Sequence, residues 1–278
     1  MQQAGNTALD AARSREDAHA VLRINRFDGG RFAEKLDSIV QEVGIEVLLD
    51  GRPAFSGTCS PWDVEDLAVG RLFLEGAIAG MGDVASVAVD EARGRVDVRT
   101  RPRGRRGADG CVIVPFDGLA PRCGASRSPG PIASDLRVGA ATVGAAIALL
   151  ERQSLLFRKT GGVHSAALAD ARGRVLAWRE DIGRHSALDK LAGWCLRSGE
   201  DVARRMVLFS GRVPLEIMAK VAALGCPLVV SPGAPTSLSI ELAERSGIAL
   251  VGFAKHGRFN VYAHPERIAE WEGRGFQG

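Results

Sequence analysis

The sequence is short of tyrosine, of lysine and of long apolar runs. It has one tyrosine in 278 residues, so the broad aromatic surfaces that bind single-stranded nucleic acid are not expected. Five of the 36 basic residues are lysine; the arginines suit bidentate contacts with phosphate or carboxylate, although genome composition is the simpler explanation. No run of about 18 apolar residues occurs, so no transmembrane helix is expected. Residues 1–20 are polar, lack the apolar core of a secretion signal, and are predicted to be a disordered tail.

The five cysteines fit neither a disulfide framework nor a zinc site, by number or by spacing. They are Cys59, Cys111, Cys123, Cys195 and Cys226. We therefore expect reduced thiols in a cytoplasmic protein. Cys195 falls on the apolar face of a predicted helix and Cys226 at the start of a predicted strand, so both are interpreted as core residues.

The motifs of several nucleotide-binding and zinc-dependent folds are absent. There is no GxxxxGK[ST] loop, and the one GxGxxG match, residues 273–278, has no room for a helix after it. His264 and Glu266 resemble part of a zinc deaminase motif, but the required cysteines do not follow. Walker, Rossmann and zinc deaminase chemistry are therefore disfavoured.

The first half of the chain is predicted to be a small β-rich domain, residues 21–118. Residues 46–49 lead into the turn Asp50-Gly51, and residues 84–89 and 96–99 alternate around a second turn, so two hairpins are expected. A helix is expected to open within residues 61–70, where acidic residues suit the helix dipole. Loops rich in Gly, Pro, Ser and Arg follow, and we place a mobile cysteine loop at residues 119–135.

The second half, residues 136–270, is more regular. A hairpin is predicted over residues 163–178. Ser186 and Asp189 are interpreted as a capping box at the start of an apolar helix, and Gly199 is expected to end that helix. Strands are predicted at residues 207–210, 227–231 and 248–254, with a helix after each of the first two. The first helix is expected to begin at Pro214 and end at Gly225, and the second to be capped by Thr236 or Ser237 and to end at Gly247. This α/β alternation predicts a mostly parallel sheet with helices on its faces.

Each of these three strands ends in a polar loop that contains glycine. In open α/β sheets, ligands bind outside the carboxyl ends of the strands. Two of the loops lead into helix N-termini, which suit an anion, and Arg212, Lys255 and Arg258 add positive charge. The pattern predicts a nucleotide or phosphate pocket, but plain connections with capping residues explain it equally well. His185, at a helix N-terminus, is a candidate acid or base, or simply a structural histidine.

Several motifs in this order resemble those of the FdhD family of formate dehydrogenase accessory proteins. They are Ser-Pro-Trp-Asp-Val-Glu-Asp-Leu-Ala (60–68), Thr-Gly-Gly-Val-His-Ser-Ala-Ala-Leu (160–168), Arg-Glu-Asp-Ile-Gly-Arg-His-Ser-Ala-Leu-Asp-Lys (179–190), Ser-Gly-Arg-Val (210–213), Ala-Pro-Thr-Ser-Leu (234–238) and Gly-Phe-Ala-Lys-His-Gly-Arg-Phe-Asn-Val-Tyr (252–262). The resemblance covers about residues 46–262.

The resemblance implies a fold, a ligand and partners. The fold would be a cytidine deaminase-like α/β/α domain without zinc, beside a smaller β-rich domain, in a homodimer. The ligand would be the molybdenum bis(molybdopterin guanine dinucleotide) cofactor, whose nucleotide part GDP can mimic, and the partners would be a cysteine desulfurase and the formate dehydrogenase catalytic subunit. The cofactor-binding residues would be Gly161, Gly162, His164, Asp181, Arg184, His185, Ser210, Gly211, Arg212, Ala234, Pro235, Thr236, Ser237, Phe253, Ala254, Lys255, His256, Gly257 and Arg258.

The cysteine loop departs from the family pattern. The family loop usually reads Cys-Gly-x-Cys-Gly, whereas here Ser126 stands at the second cysteine position after Cys123. The resemblance makes Cys123 the carrier of persulfide sulfur, and Arg122 and Arg127 would favour its thiolate. An incidental loop thiol is the alternative, and so is a cofactor chaperone that transfers no sulfur. Nucleic-acid binding through the arginines of residues 93–106 is disfavoured because aromatic residues do not alternate with them.

Overall fold

The computed structural model describes residues 19–102 and 130–273. Most of the predicted tail, and all but the last six residues of the predicted cysteine loop, fall outside this part of the chain. Within it, no helix is both long enough and apolar enough to cross a bilayer.

A small four-stranded sheet forms the first unit. Its strands are β3 (Val43–Leu49), β4 (Arg52–Cys59), β5 (Val84–Asp90) and β6 (Arg95–Thr100), in the order β4-β3-β6-β5, with helix α1 (Val64–Leu74) packed on one face. Both predicted hairpins are confirmed: β3 pairs with β4 and β5 with β6, each antiparallel. The apolar core between sheet and helix includes Val47, Leu67, Leu72 and Val98.

A separate hairpin, which the sequence analysis did not predict, precedes this sheet. Its strands are β1 (His19–Asp28) and β2 (Arg31–Val40), so the last two residues of the predicted tail are in a strand. Large apolar side chains are exposed on it, with Phe27 at 62%, Phe32 at 73% and Leu36 at 71% of their surface. Both faces of this hairpin carry polar and apolar residues, so the sequence lacks the regular alternation by which strands are predicted.

The second unit is built on a six-stranded mixed sheet in the order β12-β11-β10-β9-β7-β8. Its strands are β7 (His164–Asp170), β8 (Val175–Asp181), β9 (Arg205–Phe209), β10 (Leu228–Val230), β11 (Ala249–Lys255) and β12 (Arg258–Ala263). Strands β9, β10 and β11 are parallel, as predicted. Strand β12 pairs antiparallel with β11 at one side, and β7 pairs antiparallel with β9 and β8 at the other. The sheet is therefore less parallel than the alternation of strands and helices in the sequence predicted.

Helices cover both faces of this sheet. They are α2 (Ala140–Gln153), α3 (Leu155–Thr160), α4 (Arg184–Ser198), α5 (Leu215–Leu224) and α6 (Ser237–Ser246), and short 3-10 turns lie at Met81–Asp83, Glu91–Arg93, Val202–Arg204 and Pro265–Arg267. One apolar cluster joins the sheet to α4, α5 and α6, and a second joins its other face to α2. The result is three layers, helix, sheet and helix.

The helices of the second unit end where the sequence predicted, but the start of α4 differs from the prediction. Gly199, Gly225 and Gly247 end α4, α5 and α6 in the left-handed conformation, as their positions predicted. The capping box predicted at Ser186 is wrong, because α4 begins two residues earlier, at Arg184, with Gly183 as its N-cap. The carboxylate of Asp189 instead accepts a hydrogen bond from the ammonium of Lys220 on α5, at 2.5 Å.

The two units meet where α1 crosses α4 at a pair of glycines. A Cβ atom on Gly70 would lie 1.8 Å from the backbone oxygen of Asp189, and one on Gly193 would lie 1.9 Å from that of Asp66. Only glycine allows the two backbones to approach so closely. Beside the crossing, the buried carboxylate of Asp66 accepts hydrogen bonds from the guanidinium groups of Arg179 and Arg197, at 2.7 Å each.

Candidate functional site at the strand ends

The loops that follow β9, β10 and β11 come together at one edge of the large sheet. The hydroxyl of Ser231 donates to the backbone oxygen of Gly211 at 2.6 Å, and the backbone N–H of Val213 donates to Ala234 at 3.1 Å. The N–H of Phe253 donates to the backbone oxygen of Gly233 at 3.2 Å. The structure therefore brings the three predicted loops into direct contact, because the carboxyl ends of parallel strands share an edge.

Gly233 is the point of closest packing between these loops. A Cβ atom there would lie 2.8 Å from both the Cα and the backbone nitrogen of Arg212. These are backbone atoms, which cannot turn away as a side chain could, so a larger residue would force the loops apart. The arrangement holds the exposed side chain of Arg212 at the edge of the site.

His164 begins β7 at the same edge and meets the first loop. Its Nδ1 atom lies 3.4 Å from the hydroxyl oxygen of Ser210, and that hydroxyl accepts the backbone N–H of Ser165 at 2.9 Å. Burial lowers the pKa of His164, and the nearby positive charge of Arg184 acts in the same direction. The ring is therefore neutral at neutral pH and can donate or accept a hydrogen bond.

The first turn of α4 brings Arg184 and His185 to this edge. Nε2 of His185 lies 3.4 Å from a carboxylate oxygen of Glu216, in the first turn of α5. Burial lowers the pKa of His185, with further lowering by Lys220 and Arg184. A neutral imidazole beside a carboxylate has the composition of an acid–base pair, and the same geometry suits a structural hydrogen-bonding histidine.

The second loop, which follows β10, ends at the N-terminus of α6. Thr236 is the N-cap, and its N–H donates to the hydroxyl of Ser239 at 2.8 Å in a reciprocal capping box. Of the two residues expected to cap this helix, Thr236 and Ser237, the structure makes Thr236 the N-cap. Thr236 and Ser237 are exposed, and Ala234 and Pro235 are half-buried beneath them.

The turn between β11 and β12 supplies the remaining predicted residues. Lys255, His256, Gly257 and Arg258 are all exposed there. Phe253 has a left-handed backbone, φ 51°, and is 51% exposed, with its ring centroid 6.5 Å from that of Tyr262. Half of the Phe253 side chain is therefore open to solvent, two residues before Lys255 in the chain. Ala254, by contrast, is buried at 1% exposure and shapes the site only through its backbone.

Asp181 is buried at the end of β8, and its predicted contact with the cofactor stays a prediction. Its side chain has 0% exposure, and one carboxylate oxygen lies 2.6 Å from the ammonium of Lys190. The same oxygen accepts the backbone N–H of Ser60 at 3.0 Å, and the other accepts that of Gly183 at 2.8 Å. The carboxylate is saturated by the protein itself and organises the start of α4.

Gly161 and Gly162 lie beside the hairpin rather than in the open part of the edge. Gly161 ends α3 with φ 67°, which favours glycine. A Cβ atom on Gly162 would lie 2.6 Å from a methyl group of Val40 at the base of β2. Gly162 thus allows the hairpin to pack closely, whereas Gly161 is favoured for its backbone conformation.

Comparison with known proteins places this chain in a family. The model of the FdhD/NarQ family matches residues 40–269. The chain belongs to the FdhD/NarQ family. Sulfur carrier protein FdhD of Bacillus subtilis (strain 168) is 35% identical over 261 residues, covering 90% of this chain and 98% of that protein. The FdhD sulfur carrier of Cupriavidus necator is 32% identical over 262 residues, covering 90% of each.

A solved structure agrees with this membership. A formate dehydrogenase accessory protein from Desulfotalea psychrophila superposes with a TM-score of 0.76 at 26% identity, over 90% of this chain and 99% of that one. The mixed α/β architecture is therefore shared between the two proteins. The predicted resemblance to the FdhD family is confirmed.

The candidate sulfur-carrying residue of this FdhD protein, Cys123, lies outside the described residues, so its predicted role stays a prediction. The free thiols that the structure describes are Cys59, Cys195 and Cys226, and all of them are buried. Burial raises the pKa of Cys59 to about 11 and that of Cys226 to about 12. Burial also raises the pKa of Cys195, so its predicted place in the core is confirmed together with that of Cys226.

Cavities and metal ligands do not add to the site. One cavity of about 620 Å³ lies beside the crossing of α1 and α4, and another of about 440 Å³ lies along α2. Neither is lined by the residues that are predicted to bind the cofactor. Among the described residues, no group of three or more His, Cys, Asp or Glu side chains could hold a metal ion.

Residues that the sequence reasoning gave no role also contribute. Glu216 contacts His185, while Ser60 and Lys190 hold Asp181. Ser60 is 121 residues from Asp181 in the sequence, so no local pattern predicts their contact. The only sequence signal at Ser60 is the resemblance of residues 60–68 to the FdhD family. Glu216 resembled an ordinary acidic residue in the first turn of a helix.

Proposed function

We propose that this protein is a cytoplasmic sulfur carrier, a sulfurtransferase that passes persulfide sulfur from a cysteine desulfurase to the guanine-dinucleotide form of the molybdenum cofactor. The client enzyme is a formate dehydrogenase. One observation carries the proposal: in a chain of the FdhD family, three strand-end loops meet at an edge that bears two helix N-termini and several cations.

The donor set fits the nucleotide end of that substrate. Arg184, Arg212, Lys255 and Arg258 supply positive charge, and the free N–H groups at the start of α6 suit a phosphate. The outward ring of Phe253 offers an apolar face to a planar base. Because His164 and His185 are neutral, they can hydrogen-bond the ligand without adding charge.

The loading step uses Cys123. Its thiolate attacks the outer sulfur of the desulfurase persulfide, a new S–S bond forms, and the desulfurase cysteine leaves as a thiolate. The step needs one thiol on the acceptor, so Ser126 in place of a second cysteine does not prevent it. Arg122 and Arg127 beside it in the sequence would stabilise the attacking thiolate.

Intact-mass spectrometry after incubation with a cysteine desulfurase and cysteine tests the loading step. We expect the wild type to gain the mass of one or more sulfur atoms and Cys123→Ala to gain none. Cys111→Ala, which removes the other thiol outside the described residues, is the matched control and should load normally. Full loading of Cys123→Ala would exclude this role, and no loading of the wild type would indicate a cofactor chaperone.

Calorimetric titration with GDP tests the nucleotide site separately. Arg212→Ala and Arg258→Ala should each weaken binding about tenfold, because each removes a charge-assisted contact to phosphate. Arg245→Ala, at the opposite end of α6, should bind as the wild type does. Equal weakening by all three variants would indicate a general charge effect and not a site.

We also propose that the protein is a homodimer and that the β1–β2 hairpin contributes to its interface. Phe27 and Phe32 are paired across the strands with ring centroids 5.2 Å apart, and Leu36 lies on the same face. An isolated two-stranded hairpin is marginally stable in water, so a covering surface is needed. Phe32→Glu should shift the sedimentation coefficient toward the monomer, whereas Lys35→Glu on the other face should not.

The three-layer arrangement supports a further part of the proposal, a fold like that of cytidine deaminases without zinc. A mixed sheet between helices on both faces has the layers that such a fold requires. Metal analysis of the purified protein by mass spectrometry tests the absence of zinc, and a stoichiometric amount would contradict it.

A further inference from the structure

We infer that Ser60 and Trp62, in the small β-rich unit, are positioning residues for the loop of residues 181–185 at the start of α4. For its effect on ligand binding, the inference rests on the proposed function, because that loop carries Arg184 and His185. Neither Ser60 nor Trp62 belongs to the strand-end loops. Their contribution is to connect the small unit to the site through hydrogen bonds.

Ser60 holds the loop with two of its own atoms and contacts Lys190 with a third. Its backbone N–H donates to the carboxylate of Asp181 at 3.0 Å, and its hydroxyl accepts the N–H of Ile182 at 3.1 Å. Its backbone oxygen accepts a hydrogen bond from the ammonium of Lys190 at 3.2 Å. Ser60 has 0% exposure, so water does not compete for these bonds.

Trp62 holds the residue just before the loop. Its indole N–H donates to the backbone oxygen of Glu180 at 3.0 Å, and that oxygen also lies 3.4 Å from the ammonium of Lys190. The ammonium is 5.4 Å from the centroid of the Trp62 ring, within the range of a cation–π interaction. Trp62 and Ser60 therefore contact the loop and the buried ammonium together.

The small unit provides a firm support because it is anchored independently of these bonds. The close crossing at Gly70 and Gly193 leaves no room for α1 to slide over α4. On the same interface, two N–H groups of Arg179 donate to one carboxylate oxygen of Asp66, at 2.8 and 2.7 Å. Ser60 and Trp62 thus transmit a fixed position from this interface to the loop.

The consequence for the site follows from the N-cap of α4. The Asp181 carboxylate that Ser60 holds also accepts the N–H of Gly183, which is the N-cap residue. Arg184 and His185 come next, so their positions depend on this carboxylate. Loss of the support would leave these side chains present but displaced, and misplacement of such groups weakens ligand binding.

The test compares Trp62→Phe and Ser60→Ala with Trp194→Phe. Trp62→Phe keeps an aromatic ring but removes the indole N–H, and Ser60→Ala removes the acceptor for Ile182. Trp194 lies on the same interface, with its ring 5.9 Å from the guanidinium of Arg179, and serves as the matched control. Amide hydrogen exchange of residues 180–186, thermal unfolding and GDP affinity are measured for each variant.

We expect faster exchange at residues 180–186 in both positioning variants, together with GDP binding at least about threefold weaker at a temperature where every variant is folded. Trp194→Phe should lose thermal stability without either effect. Unchanged exchange in Trp62→Phe and Ser60→Ala would overturn the inference. If the wild type itself fails to bind GDP, the proposed nucleotide site is wrong, while the exchange measurement still decides the positioning role.

Discussion

The ammonium of Lys190 lies 2.6 Å from a carboxylate oxygen of Asp181, and neither side chain is exposed to solvent. Two buried charges are costly to desolvate, and they persist only where each is fully hydrogen-bonded. Here the ammonium also contacts the backbone oxygens of Ser60 and Glu180, and the carboxylate also accepts two backbone N–H groups. The pair joins the small unit, the end of β8 and the second turn of α4 at one point.

Removing one partner of this pair should destabilise the fold strongly. Lys190→Met leaves the Asp181 carboxylate buried without its counter-ion, and we expect a loss of about 3–5 kcal/mol of unfolding free energy in urea titrations. Lys190→Met combined with Asp181→Asn should recover part of the loss, since the amide oxygen can still accept a backbone N–H. A single variant as stable as the wild type would show that the pair contributes little.

Much of the large α/β unit was predictable because its signals are local. Glycines at the ends of α4, α5 and α6, and the threonine at the start of α6, act within one turn of the chain. The juxtaposition of the three strand-end loops followed from the parallel order of their strands. Contacts such as that of Ser60 with Asp181 could not be found in this way, since nothing in the local sequence specifies a partner 121 residues distant.

The burial of Asp181 could not be predicted from the sequence. It lies in a run rich in charged residues beside Arg184. Its burial depends on Lys190, which follows nine positions later on a predicted apolar helix face. Patterns of hydrophobicity do not reveal a buried pair of opposite charges, because each member alone resembles a surface residue.

The glycine at the helix crossing should tolerate no side chain. Gly193→Ala would place a Cβ atom 1.9 Å from the backbone oxygen of Asp66, so α1 and α4 must separate. We expect a loss of about 3 kcal/mol or more of unfolding free energy, measured by denaturant unfolding. Gly57→Ala in β4, where the described residues leave the Cβ position open within 4 Å, is the control and should change stability little. Similar losses in both variants would argue against the crossing as the cause.

The buried thiols should be inert in the folded protein. Iodoacetamide reacts with thiolates, and burial raises the pKa of Cys59 to about 11 and that of Cys226 to about 12. At neutral pH, peptide mapping should therefore find alkylation at Cys111 or Cys123 before Cys59, Cys195 and Cys226. All five cysteines should react in denaturant. Labelling of Cys59 as fast as Cys123 in the native protein would contradict the burial seen here.

His264 should make stability depend on pH. Burial opposes its charge, but hydrogen bonds from the ring to the backbone oxygen of Glu244 at 3.0 Å and to the carboxylate of Glu266 at 2.8 Å outweigh this and raise its pKa above 6.5. A raised pKa in the folded state contributes stability that is fully present below the unfolded value and is lost as pH rises through the folded value.

The comparison of wild type with His264→Gln isolates that contribution. The difference in melting temperature should be largest at a pH below the unfolded histidine pKa, and should shrink as pH rises through the raised folded pKa of His264. Burial lowers the pKa of His164 and of His185, so these residues reduce stability as pH falls, but they do so in both proteins and cancel in the difference. Glu266→Gln should weaken the pH dependence, because it removes one of the interactions that raise the pKa of His264. A difference independent of pH would show that His264 acts only as a neutral hydrogen-bonding residue at the end of α6.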